Sequence, residues 1–261
     1  MAGFAVMLGC GDDDDDNDSG GGDDDDSGGG AGTLSAVVHD FQTKMAVQDA
    51  VVELVDNVSG DPLGDQWKLT SPSDGNVTFT GIPEGVDLVG VKVTKAGYKD
   101  TYQYDFNVGA SGEEFLVVGE STADLVALIL GVTLDPTKGF AAGGIYWGDP
   151  TDENPVGCAV VETDPAPESG IYYFGPDDLP TPDRNVDSPE NAANGLGVNP
   201  LNGYWVGMNI PAGEVDITAY SGDNVQTSFI PKVFPDSVCI ANVYYSKTDF
   251  TADPTQAFCT E

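Results

Sequence analysis

Basic residues are scarce in this sequence, and their scarcity limits the partners that the protein can have. Its 261 residues include nine Lys and Arg against 44 Asp and Glu, which gives a net charge of -35 at pH 7. No Lys or Arg precedes Lys44. Because such a surface repels phosphate groups, we expect neither nucleic acid nor an anionic bilayer surface to be a direct partner. The charge is better interpreted as promoting solubility or attracting divalent cations.

The sequence is equally poor in the residues and motifs of enzyme active sites. His39 is the only histidine, and no Gly-x-Ser-x-Gly accompanies it as the nucleophile of a Ser-His-Asp system. HExxH, GxxxxGK and dinucleotide-binding motifs are absent too. Paired carboxylates are abundant, so a glycosidase is not excluded by residue type. We nevertheless predict that the protein is not an enzyme, and a hydrolase is the least favoured function.

Long apolar runs are also missing, because no stretch reaches the 18 or so residues that a membrane-spanning helix requires. The first ten residues place a short apolar run directly before Gly9 and Cys10. This arrangement resembles a lipobox, so we interpret residues 1–10 as a signal-peptide remnant with its lipobox. We expect lipid on Cys10 to anchor a bacterial lipoprotein in the outer membrane, with its domains in the periplasm or on the cell surface. The alternative is an ordinary thiol.

Only four cysteines are present. If Cys10 is acylated, an oxidising compartment favours one disulfide among the others, and three pairings are open. The disulfide candidates are Cys158, Cys239 and Cys259. Since Cys259 lies in a terminal tail that has little else to hold it, we expect it to be one partner. No cysteine or histidine spacing indicates zinc.

Residues 11–32 form the most biased segment. They comprise only Asp, Gly, Ser, Asn and Ala, and the stretch from Asp12 to Asp26 alone holds ten acidic residues. This composition cannot bury enough apolar surface to offset the entropy of ordering, which predicts a disordered acidic linker. Acidic runs after a lipidated cysteine also resemble export signals of some surface lipoproteins, and that resemblance implies display outside the outer membrane.

Beyond Thr33, short β-rich runs alternate with Gly, Pro, Asn and Asp, which is typical of antiparallel sandwiches. Buried faces are predicted at alternating positions: Ala50, Val52 and Leu54, then Val77 and Phe79, then Val89, Val91 and Val93.

An internal repeat divides this region. Residues 75–85 and 203–213 share one spacing, in which Gly opens the segment and Ile-Pro-x-Gly closes it. Proline fixes φ and glycine permits positive φ, so each Ile-Pro-x-Gly segment predicts a tight reversal between paired strands. Ile82 and Ile210 are expected to close the end of each core. We therefore predict two domains, at residues 33–120 and 136–261.

The connection between the repeats, residues 121–135, holds the one convincing helix. Ser121 and Asp124 resemble a capping box, and Gly131 is a plausible stop. We expect the helix to pack at the junction of the two domains. A strand is the alternative for residues 125–130.

These motifs resemble those of carboxypeptidase regulatory-like domains, which are transthyretin-like (prealbumin-like) sandwiches. The family pattern combines an apolar strand, Gly-x-x-x-Phe, (Ile/Leu)-Pro-x-Gly and a strand ending near Gly-Tyr. The first domain matches at Ala50, Val52, Gly75, Phe79, Ile82, Pro83, Gly85, Gly97 and Tyr98, and the second at Gly157, Val160, Gly203, Ile210, Pro211 and Gly213. The resemblance implies an all-β fold of two tandem sandwiches with a binding, spacing or display role.

Two groups of residues are candidates for binding. The second domain carries a long insertion at residues 164–200, and long loops are usually functional or disordered. Aromatic residues there and on the next strand either stack on a glycan or protein, or fill the sandwich core. They are Tyr172, Tyr173, Phe174, Tyr204 and Trp205.

The second group is acidic. Asp149, Asp152 and Glu153 cluster in a turn bounded by prolines and offer oxygen ligands for calcium, although a hydrophilic hairpin turn is the favoured interpretation. We predict no other cofactor. The leading hypothesis is a non-enzymatic structural or adhesive module at the cell surface that binds a protein or polysaccharide. The alternative is an accessory carbohydrate-binding protein.

Overall fold

Strands make up nearly all of the regular structure. The computed structural model describes residues 32–148, 154–175, 179–182, 203–221, 226–246 and 248–249. The predicted signal remnant and almost all of the linker lie outside these residues.

Seven strands and a 3-10 turn precede the helix. They are β1 (Gly32–Asp40), β2 (Val51–Asp56), the turn Asp65–Trp67, β3 (Lys68–Thr70), β4 (Asn76–Ile82), β5 (Leu88–Thr94), β6 (Asp100–Asn107) and β7 (Glu113–Val117). The helix α1 spans Glu120–Leu130.

Twelve further described strands follow the helix. They are β8 (Lys138–Trp147), β9 (Asn154–Pro155), β10 (Val160–Asp164), β11 (Ile171–Phe174), β12 (Pro180–Thr181), β13 (Tyr204–Pro211), β14 (Gly213–Glu214), β15 (Asp216–Tyr220), β16 (Gln226–Phe229), β17 (Lys232–Val233), β18 (Ser237–Ile240) and β19 (Val243–Tyr245).

The first seven strands build a sandwich. One sheet has the order β4-β1-β7, with β4 antiparallel and β7 parallel to β1. The facing strands have the order β6-β5-β2-β3. Between them lies an apolar core that contains the predicted positions Ala50, Val52, Leu54, Val77, Phe79, Val89, Val91 and Val93, all buried.

The second half repeats this topology. Strand β8 pairs antiparallel with β13 and parallel with β18 and β19, as β1 does with β4 and β7. The facing sheet β10-β15-β16 corresponds to β2-β5-β6. A second core fills the space between these sheets. The prediction of an all-β fold built from two tandem sandwiches is confirmed.

One sheet passes through both sandwiches. Strand β18 pairs in parallel with β8 on one side and with β6 on the other, which makes a central sheet of order β12-β11-β13-β8-β18-β6-β5-β2-β3. The two cores lie on opposite faces of this sheet, because Thr101 and Gln103 of β6 face β7 whereas Tyr102 and Tyr104 enter the second core. The partition into domains at residues 33–120 and 136–261 stays a prediction.

Each repeat contains a β-bulge just before its Ile-Pro-x-Gly segment. The register shifts at Gly81 in β4 and at Asn209 in β13, and both residues have positive φ, 74° and 58°. An inserted residue reverses the side-chain alternation, so Ile82 and Ile210 turn into their cores, where both are fully buried. The expectation that these isoleucines belong to the cores is therefore confirmed.

The predicted reversal between paired strands is wrong in one respect. Strand β4 pairs with β1 and β5 pairs with β2, so the segment at Pro83 carries the chain from one sheet of the sandwich to the other. The segment at Pro211 does the same between β13 and β15. The bulge accounts for this, because it bends the strand out of its sheet at that point.

The helix forms where it was predicted, with a different start. Its N-cap is Gly119 and makes no side-chain hydrogen bond, so the expected capping box of Ser121 and Asp124 is wrong. Gly131 ends the helix with φ 68° and donates its N–H to the last turn, as predicted. The strand alternative for residues 125–130 is excluded. No helix within the described ranges has the length and apolar character of a membrane span.

The predicted long loop of residues 164–200 is partly strand. Strands β11 and β12 extend the central sheet beyond β13. The rest of the insertion, residues 176–178 and 183–200, lies outside the described residues.

Asn209 also fastens the connection after α1 to the second sandwich. Its Nδ2 donates to the Thr133 carbonyl (2.9 Å) and to Ser169 Oγ (2.8 Å), and its Oδ1 accepts from the Asp135 N–H (2.9 Å). One buried side chain therefore holds three chain segments together.

We expect Asn209→Ala to lower the free energy of unfolding by about 3 kcal/mol. The substitution leaves buried polar groups without partners, and it places alanine, whose Cβ strains the backbone, at positive φ. Asn209→Gly removes the same hydrogen bonds without the backbone strain and should cost about 1 kcal/mol less. Urea unfolding measures both. The exposed Asn107→Ala is the control, and equal stability of the wild type and Asn209→Ala would contradict this role.

Candidate functional site: an apolar cleft under the helix

The helix α1 packs on the face of the central sheet that the second core leaves free. Its buried residues Ala123, Ala127 and Leu130 share one side, as spacings of four and three residues require. Small side chains at two of these positions let the helix come close to the sheet. The contact forms a third apolar cluster, with side chains from β8, β11, β13 and β18.

Beside this contact the helix and sheet enclose a cleft of about 180 Å³. We call it the α1 cleft. The sheet provides its floor, α1 and the end of β7 provide one wall, and the turn after β1 together with β12 borders its mouth. Its floor includes Phe140, Ala142, Val206, Met208, Val238 and Ile240.

Three aromatic rings line the mouth. The ring of Tyr204 lies 6.4 Å from Phe41 at an interplanar angle of 58° and 6.0 Å from Phe174 at 85°. The contact with Phe41 is tilted, whereas the contact with Phe174 is edge-to-face, which is a preferred geometry of aromatic pairs. The rings therefore border the opening as adjoining walls.

Two polar side chains of the cleft, those of Thr122 and Asn242, form hydrogen bonds within the protein. Thr122 Oγ1 donates to Gln42 Oε1 (2.9 Å), which ties α1 to the turn after β1. Asn242 Oδ1 accepts from the Gly144 N–H (2.9 Å). With these groups occupied, the cleft offers a ligand mainly apolar contact.

Two charged side chains lie at the rim. The Lys44 ammonium is 5.3 Å from the Phe41 ring centre, within cation–π range. Glu114 lies 3.2 Å from His39 Nδ1, measured from its Oε1. The one histidine of the sequence is thus within hydrogen-bond distance of a carboxylate that lines the cleft.

The five aromatic candidates lie in three places. Phe174 and Tyr204 line the cleft. Tyr173 and Trp205 are fully buried in the second core, where the Tyr173 hydroxyl accepts from the Val161 N–H. Trp205 also borders the cleft. Tyr172 is buried in the cluster under α1 and donates its hydroxyl to the Ser169 carbonyl, and its burial raises its pKa.

The core-filling alternative therefore applies to Tyr173 and Trp205, whereas binding of a glycan or protein by Phe174 and Tyr204 stays a prediction. The side chains of Tyr173 and Trp205 serve the core, because residues that alternate along β11 and β13 point to opposite faces of the sheet.

Sequence reasoning missed the cleft because its residues come from positions 41 to 242. A signal was nevertheless present. Strands β13 and β18 are apolar at consecutive positions, which is typical of strands covered on both faces. An apolar outer face must be covered by another element of the chain, and the apolar helix α1 is close in sequence to β8, the neighbour of β13 and β18.

Asp149, Asp152 and Glu153 lie outside the described residues, as do Cys10 and Cys259. Within the described ranges no cluster of three His, Cys, Asp or Glu side chains could hold a metal ion.

Of the remaining cysteines, Cys158 is disulfide-bonded and Cys239 is a free thiol in the second core. The candidate pairings that use Cys239 are therefore corrected. Its position explains this, because β18 lies between β6 and β8 and buries the side chain completely.

Comparison with protein-family models finds no match, and comparison with curated proteins finds none either. Among solved structures, the chain is similar to the Bacillus anthracis TIE protein, with 14% identity, a TM-score of 0.25, and 84% of this chain and 34% of that chain covered. It is also similar to a streptococcal ancillary pilin, with 13% identity, a TM-score of 0.23, and coverage of 82% and 62%.

A third similar structure is BcpA, the major pilin subunit of Bacillus cereus, with 11% identity, a TM-score of 0.27, and coverage of 83% and 99%. The chain spans less than two thirds of the length of the first two proteins. All three TM-scores are low.

Burial raises the pKa of the Cys239 thiol, so we expect it to stay protonated and unreactive in the folded protein. Alkylation with iodoacetamide followed by peptide mass spectrometry should modify Cys239 only after denaturation without reductant. Native alkylation would contradict its burial, and a requirement for reductant would show that it is disulfide-bonded.

Proposed function

We propose that the protein is a non-enzymatic binding module of the cell surface, that it recognises its partner through the α1 cleft, and that lipid on Cys10 anchors it. The observation that carries the proposal is an apolar cleft with aromatic rings at its mouth, in a chain whose net charge is -35. Exposed apolar patches bordered by polar residues mark interaction sites in soluble proteins.

The exposure of leucines around the mouth supports this assignment. Leu125 of α1 is 41% exposed and Leu179, next to β12, is 42% exposed. Both line the cleft, so apolar surface continues from its interior to the outside. A void of this size would cost about 4 kcal/mol if it were closed and empty, which favours a use for it over a packing defect.

The contents of the cleft favour binding over catalysis. The hydroxyl of Thr122 and the amide of Asn242 are already bonded, and the Glu114 carboxylate pairs with His39. This arrangement places no activated nucleophile against a bound molecule. A structural or adhesive role needs only the contact surface.

We also propose kinship with the carboxypeptidase regulatory-like sandwiches. The support is the shared strand pairing of the two repeats and the bulge before each Ile-Pro-x-Gly segment. The carbohydrate-binding alternative has less support, because Tyr173 and Trp205 are enclosed in the core and the rings of Phe174 and Tyr204 meet nearly at right angles.

Filling the cleft should weaken ligand binding without unfolding the protein. Indole is a suitable probe, since a cavity of about 150 Å³ accepts benzene. We expect Ala142→Leu, which adds three carbons to the floor, to weaken indole binding by at least about tenfold. NMR titration measures the affinity, and the melting temperature reports on the fold.

The matched control is Ala96→Leu, which adds the same three carbons to an exposed turn of the first sandwich. Its indole affinity should equal that of the wild type. Equal indole binding by Ala142→Leu and wild type, with both folded, would refute the cleft as the binding site.

Mass spectrometry of the native protein tests the anchor. We expect the mature chain to begin at Cys10 with an added diacylglycerol, and Cys10→Ser to leave the membrane fraction. An unmodified Cys10 in the native protein would contradict the lipid anchor and leave the cleft unaffected.

A further inference from the structure

We propose that the occupant of the α1 cleft is one large apolar side chain, aromatic or branched aliphatic, carried by a basic segment of a partner protein. This rests on the proposed function of the cleft and goes further, because it names the chemistry of the partner. Three features of the cleft lead to it: its volume, its rim and the charge around it.

The volume selects the size of the group that enters. Ligand pockets for drug-sized molecules measure about 300–1,000 Å³, whereas the α1 cleft measures about 180 Å³. A cavity of about 150 Å³ takes a single benzene ring. The α1 cleft therefore holds one ring or one branched aliphatic group, which is the size of a side chain.

The rim shows that this group belongs to a larger molecule. Leu125 and Leu179 are 41% and 42% exposed at the mouth, and Leu128, one turn further along α1, is 77% exposed. A ring bound alone inside the cleft would leave this apolar surface in water. A polypeptide that inserts one anchor residue covers the surrounding surface as well, as interface hot spots do.

The charge around the cleft selects a basic partner. Glu120 and Asp124 are exposed on α1, and its last turn has no basic residue to balance them. Glu114 adds a carboxylate at the rim. Across the described chain, four of the lysines are held in ion pairs, namely Lys68, Lys92, Lys99 and Lys138.

The remaining charge on the protein acts in the same direction. A net charge of -35 attracts cationic segments from solution and raises their association rate. The same charge repels a second copy of this chain. Lys44 does not reverse the preference, because its single positive charge at the rim is outnumbered by the carboxylates of Glu114, Glu120 and Asp124.

Isothermal titration calorimetry of the full chain with three blocked pentapeptides tests the proposal. The first has tryptophan between two pairs of lysines, the second replaces tryptophan with alanine, and the third replaces the lysines with glutamates. We expect the lysine–tryptophan peptide to bind about tenfold to a hundredfold more tightly than the alanine peptide, because one aromatic side chain is buried.

Charge should act separately from the anchor. The glutamate peptide is expected to bind more weakly than the lysine–tryptophan peptide, and that difference should shrink as ionic strength rises to about 0.15 M, where the Debye length is about 8 Å. Asp124→Lys should lower the affinity for the lysine–tryptophan peptide by on the order of fivefold. Glu84→Lys, which changes the net charge equally at a distant exposed turn, should change the affinity much less.

Ala142→Leu tests whether the tryptophan enters the cleft. In this variant the tryptophan and alanine peptides should bind with equal affinity, whereas in the control Ala96→Leu the tryptophan peptide should still bind more tightly. If indole binds in the cleft but the three peptides bind equally, a free apolar molecule is the occupant, and this proposal falls while the proposed function stands. A dimer in sedimentation experiments that dissociates in Ala142→Leu would show that a second copy is the occupant, which also overturns it. If neither indole nor any peptide binds, the proposed function fails as well.

Discussion

The pairing of β18 with two strands at once is the contact on which the rest of the structure depends. Its parallel ladders to β6 and β8 join the sheets of the two sandwiches into one. Every residue of β18 is buried, so both of its faces are covered. Val238 and Ile240 point toward the helix, and Cys239 points into the second core. Because backbone hydrogen bonds fix this register, the faces cannot be exchanged without moving the whole strand.

This union creates the face that α1 covers. Each core occupies one side of the shared sheet, and the two cores lie on opposite sides, so β8, β13 and β18 present a second apolar face next to the first sandwich. A helix of eleven residues covers part of it. The turn after β1 closes the other side and contributes Phe41 to the mouth. The cleft is therefore a product of the junction between the sandwiches and belongs to neither repeat alone.

The repeated bulge shows how local backbone chemistry serves both cores. Glycine at position 81 reaches positive φ without strain, and asparagine at position 209 tolerates the same conformation. In the second repeat the asparagine side chain makes three hydrogen bonds to two other segments, residues 133–135 and Ser169, which glycine could not make. Both bulges thus turn an isoleucine, Ile82 or Ile210, into its core. The bulge at Asn209 also links the connection after α1 to β13.

The sequence by itself determined the repeat, the helix and the buried alternation at positions such as Val52 and Phe79, because these follow from spacing along one strand or one turn. It left two assignments for the aromatic residues, and only the tertiary structure separated Tyr173 from Tyr204. That choice depends on which face of a strand is covered and by what, and the answer comes from β18 and α1, far away in the chain. Periodicity reports that two faces differ, whereas the pairing of distant strands decides which face becomes core and which becomes a cleft.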